Sequence, residues 1–232
     1  MKLTRTRILV TASIIAILAM TATACWWGWR RYLSPHIEPS DSLYPTRGID
    51  LSAHNGDVDF EAVKDAGMKF VMLKASEGVS FTDRKFTDNY RQAREAGLKV
   101  GAYHFFRFDC DGAVQANHFR NVIRGLELDF PVALDVEESG NPQVYDTDSI
   151  VKALSHAIRH LELNGHQVML YTNKRGYRRF ISHFPDYPLW ICSFSDPPGP
   201  DTWYMWQYTH RGRVNGVKDL VDINILSHPL DR

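Results

Sequence analysis

The chain has 232 residues, of which 44% are hydrophobic and 23% charged. These values fit one globular domain with a sizeable core and exclude a disordered or collagen-like chain. Lys plus Arg and Asp plus Glu balance at 27 each, but the first 34 residues hold five basic residues (Lys2, Arg5, Arg7, Arg30, Arg31) and no acid, so the remainder carries 22 basic against 27 acidic residues, a net of −5. Such a surface gives a phosphate backbone no long-range attraction, and no nucleic-acid partner is expected. Three cysteines, at 25, 110 and 192, have no paired spacing. A zinc ribbon and a disulfide framework are thereby excluded, and at most Cys110 and Cys192 could bridge.

From Ile8 to Trp29 there is no charged residue for 22 positions, and a helix of about 20 such residues matches a hydrocarbon core of about 30 Å. Lys2, Arg5 and Arg7 bias the amino end toward the cytoplasm, Arg30 and Arg31 weaken that bias, and Trp26, Trp27 and Trp29 suit the outer interface. Residues 1–33 are therefore expected to act as a membrane signal-anchor. A cleaved signal peptide is the alternative, because Ala22, Thr23 and Ala24 form a small-residue stretch; lipid attachment at Cys25 is a third. Each delivers the rest of the chain outside the cytoplasm, to the periplasm or cell surface, or into the medium if the segment is cleaved. Residues 34–45, rich in Pro and Ser, read as a spacer, and residues 46–232 as the folded domain.

Apolar runs bounded by turn residues then alternate with helical patterns. Strands are expected at Arg47–Leu51, Phe70–Ala75, Val100–Phe105, Pro131–Val136 and Val168–Tyr171. Helices are expected at Phe60–Ala66 (N-cap Asp59, closing Gly67), Arg84–Ala96, Gly112–Arg124, Thr147–Leu163 and Lys174–Ser182. After these come strands without helices, at Leu189–Cys192, Trp203–Tyr208 and Leu220–Ile225. The fold class is α/β: a modified TIM-like β/α barrel of parallel βαβ units, with five strand-helix units followed by three strands with few helices.

Barrel enzymes carry their chemistry at the carboxyl ends of the strands, which makes four acids informative. Asp50 lies late in the first strand, Asp135 and Glu137 end the fourth, and Asp222 falls in the last. Asp135 and Glu137, two apart, point the same way, with Val136 facing the other layer. Crowded carboxylates cannot all ionise, so at least one pKa should rise, as a general acid at neutral pH requires. A single strand-end acid would serve equally well as a cap for loop amides or a partner for an arginine; four together indicate a glycosidase. The aromatics Tyr103, Phe105, Tyr171, Trp190, Trp206 and Tyr208 fall on or near the same strand ends, where rings with polar tips suit sugars, although each alone fits core packing. Gln207, between Trp206 and Tyr208, adds an amide. His104 is expected to be packed or hydrogen-bonded, and Arg175, Arg178 and Arg179 to form a solvated helix face.

In order, the run RGIDLSAHNGDVDFEAVKDAGMKFVMLKASEG, then GLKVGAYHF, PVALDVEE, YTN, LWI, WQY and VDIN resembles the lysozymes of glycoside hydrolase family 25, the Chalaropsis-type N-acetylmuramidases, over about residues 46–228. The resemblance implies cleavage of the β-1,4 bond between N-acetylmuramic acid and N-acetylglucosamine in peptidoglycan glycan strands, with no metal or other cofactor. It implies Glu137 as general acid and Asp135 as stabiliser of positive charge or orienter of the N-acetyl group. Asp50 and Asp222 would complete the acidic cleft, with Tyr103, Tyr171, Trp206 and Gln207 on the substrate. It also implies retention of anomeric configuration assisted by the N-acetyl group. The chain departs from the family's pattern at Ala53, where a His is common, which touches a contact at the cleft edge and not the acids.

Two other readings compete. Strand-end acids can ligate calcium or magnesium in a phosphodiesterase barrel, but the ten histidines show no ligand spacing. A barrel that binds wall glycan without cleaving it is the other; the presence of all four acids argues against it.

Overall fold

The computed structural model describes residues 2–29, 37–198 and 202–230, in two units, Met1–His36 and Ile37–Arg232. Arg30, Arg31 and residues 34–36 of the expected spacer lie outside the described residues. Among the described residues of the first unit there is one helix, α1 (Lys2–Gly28). Its stretch Leu9–Gly28 has mean hydropathy 1.9 and no buried part, and is long and apolar enough to cross a membrane. A helix apolar on every side has no polar face to turn to water.

The second unit runs β1 (Arg47–Leu51), α2 (Phe60–Asp65), β2 (Phe70–Glu77), β3 (Phe81–Thr82), α3 (Phe86–Glu95), β4 (Lys99–Phe105), α4 (Gly112–Val122), β5 (Val132–Asp135), α5 (Thr147–Leu163), β6 (Val168–Asn173), α6 (Lys174–Arg179), β7 (Leu189–Cys192), β8 (Met205–Gly212) and β9 (Val221–Leu226). Eight strands close into a barrel because β1 pairs with both β2 and β9. The two-residue β3 folds back antiparallel onto β2 outside the ring. Five strand-helix units followed by three strands are present as expected. One difference is that β9 runs antiparallel to β1 and β8. Residues 213–220 are too few for a crossover and make a hairpin instead.

Side-chain oxygens start the helices where the sequence supplies them: Asp59 accepts from the Ala62 amide, Asp111 from Val114, and Asp146 from Ser149. Each such cap contributes about 1 kcal/mol. Along α5, Ile150, Leu154, Ala157, Ile158 and Leu161 are buried, the three-and-four spacing of one helical face. That face meets Val132 and Leu134 of β5 in a layer between wall and helices. Alternation turns Ala133 inward, to a second core with Phe70, Met72, Met169, Trp190 and Met205. Gly112 lets α4 approach α5 closely, because a Cβ there would lie 1.8 Å from the Ala153 carbonyl oxygen.

No helix covers β8, and aromatic rings and the segment 37–46 do so instead. Trp203 stands 5.4 Å from Tyr44 and 5.9 Å from Trp206, and Trp206 stands 6.2 Å from Tyr208, all between ring centroids. Arg47 lies over the Tyr208 ring and binds Glu38, Asp41 and the Pro39 carbonyl, while the Ile37 amide donates to Phe194. Residues 37–45, within the stretch expected to be a spacer, therefore lie along the barrel wall.

Candidate active site

The interior core fills the barrel below, and the inward positions at the carboxyl ends of the strands are polar. Asp50 on β1 faces Asp222 on β9 directly across the ladder. Asp50 Oδ2 accepts from Gln207 Nε2 and Asn224 Nδ2, each at 2.8 Å. Gln207 Oε1 accepts from the Tyr171 hydroxyl at 2.9 Å, and Asn224 Oδ1 from Trp190 Nε1 at 2.8 Å. The Tyr171–Gln207 and Trp190–Asn224 pairs thus converge on Asp50 Oδ2, a buried network that orients the carboxylate.

Asp135, the last residue of β5, stands in register with Phe105 on one side and Tyr171 on the other. It is buried, and its Oδ1 has no hydrogen-bond partner. Glu137 lies two residues further on, beyond the strand and partly exposed at the mouth. Val136 between them packs into the outer layer, so both acids face inward as the two-residue spacing predicts.

Burial and mutual repulsion hold protons on this group of acids. Burial and the nearby Glu137 charge push Asp135 well above the usual carboxylate range, and Lys74 partly offsets them. Burial and the Asp50 charge raise Glu137, against the opposing effect of the Tyr171 hydroxyl. Burial, then Asp50, pushes Asp222 up to about 8. Burial also raises Asp50, although its amide partners work the other way.

Tyr103, Tyr171 and Gln207 lie where the sequence places them, on the inner wall; the Trp190 ring stands 6.0 Å from Tyr103 and 4.5 Å from Tyr171. Trp206 does not. It faces outward beside Tyr208 in the layer outside the barrel, and its Nε1 donates to the Ser193 carbonyl at 2.7 Å. The reason is alternation: Gln207 points in, so its neighbours on β8 point out. Cys110 and Cys192 are free thiols, with Cys192 at the inner end of β7. His104 is buried between Ser76 and Gln115, as expected. Arg175 and Arg179 are not merely solvated, because both bind Glu138, the residue after Glu137.

Sequence reasoning missed Asn224 and Lys74. Both sit two residues from an inward position, Asp222 and Met72, so the two-residue period could have found them. Lys74 Nζ lies 5.1 Å from the centre of the Phe105 ring and 2.8 Å from Glu77 Oε2, a cation beside the acid group. Among the described residues no cluster of three His, Cys, Asp or Glu side chains is placed to hold a metal ion. A pocket of about 520 Å³, lined by Leu126, Phe130, His166 and Tyr204 among others, opens at the opposite end of the barrel, away from the four acids.

Comparison with known proteins places these observations. The model of the glycosyl hydrolases of family 25 matches residues 49–217. The chain is 37% identical over 184 residues to the autolytic lysozyme of Clostridium acetobutylicum; the match takes in 78% of this chain and 56% of that protein, so the chain spans little more than half of that relative. It is 34% identical over 203 residues to the N,O-diacetylmuramidase of a Chalaropsis species, covering 76% of this chain and 95% of that one. The family 25 glycosyl hydrolase structure from Bacillus anthracis superposes with a TM-score of 0.78 at 32% identity, over 84% of this chain and 94% of the other.

Proposed function

The chain belongs to glycosyl hydrolase family 25, and we propose that it is a peptidoglycan hydrolase, an N-acetylmuramidase that cleaves the β-1,4 bond between N-acetylmuramic acid and N-acetylglucosamine. The observation that carries this reading is the meeting of Asp135 and Glu137 with the Asp50–Asp222 pair at one mouth of the barrel, where burial raises all four acids and repulsion adds to it at Asp135, Glu137 and Asp222. The names of the relatives, an autolytic lysozyme and an N,O-diacetylmuramidase, support the same substrate.

In this reading Glu137, the partly exposed acid, gives its proton to the glycosidic oxygen as the C1–O bond breaks. The acetamido oxygen of the muramic acid residue bonds to C1 from the opposite face, and Asp135 accepts the acetamido N–H. Its unpartnered Oδ1 is a buried acceptor awaiting a donor. Water then attacks C1 as the bond from C1 to the acetamido oxygen breaks, its electrons returning to the acetamido group, and passes a proton to the Glu137 carboxylate, which restores the acid with net retention. Burial and the Asp50 charge favour the protonated form of Glu137, Asp222 completes the acidic cleft beside Asp50, and Tyr103, Tyr171 and Gln207 line the sugar site. Proton NMR of the first-formed anomer tests this: the β anomer is expected, and an initial α anomer would rule the mechanism out.

The α1 helix acts as a membrane signal-anchor that holds the barrel outside the cytoplasm. The observations that support this are an uncharged run long enough to span, with basic residues before it. Mass spectrometry of the chain recovered from alkali-washed membranes should find the amino terminus intact; a soluble product beginning near Cys25 would contradict it.

A further inference from the structure

We propose that Asn141 and Thr172 are positioning residues for the reaction: together they grip the carbonyls of Val136 and Glu137 and so fix where the Glu137 carboxyl stands. The proposal rests on the reading of Glu137 as the general acid. Asp135 is the last residue of β5 in the ladder, so Glu137, two residues on, depends on contacts from outside the strand for its place.

Those contacts come from two sides. From β6, Thr172 Oγ1 donates to the Val136 carbonyl at 2.7 Å. From beyond the turn, Asn141 Nδ2 donates to the Glu137 carbonyl at 2.8 Å and to the Phe106 carbonyl at 2.9 Å, while its Oδ1 accepts from the Phe108 amide at 2.9 Å. Both Asn141 donor protons and its acceptor are therefore used, and they tie the Glu137 loop to the loop after β4. Thr172 is fully buried and Asn141 is 8% exposed, so water does not compete for these bonds.

The surroundings are shaped to the same end. A Cβ at Gly176 would lie 2.0 Å from Thr172 Oγ1, so glycine there leaves room for the hydroxyl. Arg107 Nη1 donates to the Gly140 carbonyl at 2.7 Å, and Arg175 and Arg179 hold Glu138. On either side of Glu137 the chain is pinned, which leaves its side chain as the free group in a rigid frame. The barrel itself does not need these bonds, because β5 is already paired with β4 and β6. A general acid gains from such placement because small displacements of a reacting group cost rate steeply.

The test uses the full chain in detergent, with a soluble glycan oligomer, and measures kcat, KM and the pH profile of Thr172→Val, Thr172→Ser and Asn141→Ser. Asp59→Ala is the structural control: Asp59 caps α2 through the Ala62 amide and is not part of the frame around Glu137. Thr172→Val and Asn141→Ser should each lower kcat by about tenfold, leave KM within about twofold, and move the basic limb to lower pH as Glu137 relaxes toward solvent. Thr172→Ser should restore both, and Asp59→Ala should lower Tm while keeping the parent's pH profile. Parent kcat and an unmoved basic limb in the Thr172→Val and Asn141→Ser variants would overturn the proposal, as would a fall in kcat with the limb in place. If Asn141→Ser does not fold, the Thr172 pair decides alone. Activity surviving Glu137→Gln would instead refute the reading of the acid on which the proposal stands.

Discussion

Asp222 stands directly opposite Asp50 across the β1–β9 ladder, where burial and then the Asp50 charge push it up to about 8. Asp50 receives two amide donors, from Gln207 and Asn224, which favour its charged form. The negative charge is therefore concentrated on Asp50, which is the charge that raises Glu137 after burial itself. The floor of the cleft thus acts on the acid at its mouth without touching the leaving group.

A proton held in the fold links stability to pH. Asp222 titrates at about 8 in the folded chain against 3.8 when free, so its contribution is fully present below pH 3.8 and is lost as pH rises through about 8. Asp222→Asn keeps the side chain's shape opposite Asp50 and removes the ionisation. Its Tm should exceed the parent's at pH 8.5, by about 2–4 °C for each kcal/mol recovered, and the two should converge near pH 4. Equal Tm values at both pH values would show that Asp222 is not protonated in the fold.

The buried His104 links stability to pH in the opposite sense. Burial depresses it to about 3 from 6.5, and it sits neutral between Ser76 Oγ and Gln115 Oε1. The folded form binds fewer protons than the unfolded chain between these values, so this contribution is present above pH 6.5 and is lost as pH falls toward 3. Chemical denaturation of the parent and of His104→Asn at pH 4 and pH 7 should give a smaller loss on acidification for the variant, although it is less stable at pH 7. An equal loss would remove His104 from the acid response.

Trp206 and Gln207 are neighbours in sequence with different surroundings. Trp206→Phe removes the bond to the Ser193 carbonyl in the outer layer and should lower stability while leaving kcat within about twofold, because nothing in the cleft contacts it. Gln207→Leu strands the Tyr171 hydroxyl and one acceptor position on Asp50; a buried group so orphaned costs about 1–3 kcal/mol, and kcat should fall. Kinetics on a soluble glycan oligomer separates the two, and a reversed order would place the substrate on the outer wall.

That contrast marks what the sequence could tell and what it could not. The bounds of β1, α5 and β7 were legible because caps and turn residues frame a clear apolar period. So was the shared inward face of Asp135 and Glu137, since alternation is local. The outward turn of Trp206 followed from the same rule, but a ring suited to sugar outweighed it in the sequence reading. Asn224 was overlooked because its value lies in Asp50 and Trp190, 174 and 34 residues away. The partners of Arg179 were hidden likewise: Glu138 is 41 residues distant. Helix α3 starts at Phe86 instead of Arg84 because Asp83 spends its carboxylate on the Lys85 and Ala53 amides, joining two loops before the helix begins.

The central claim, a muramidase whose proton donor is Glu137, is tested most directly by incubating purified peptidoglycan with the parent chain and with Glu137→Gln, then reducing the products with borohydride and identifying the reduced sugar by mass spectrometry. The account predicts reduced N-acetylmuramic acid ends from the parent and a loss of about 10²- to 10⁴-fold in the variant. Reduced N-acetylglucosamine ends, no new ends from either chain, or equal release by both would contradict it.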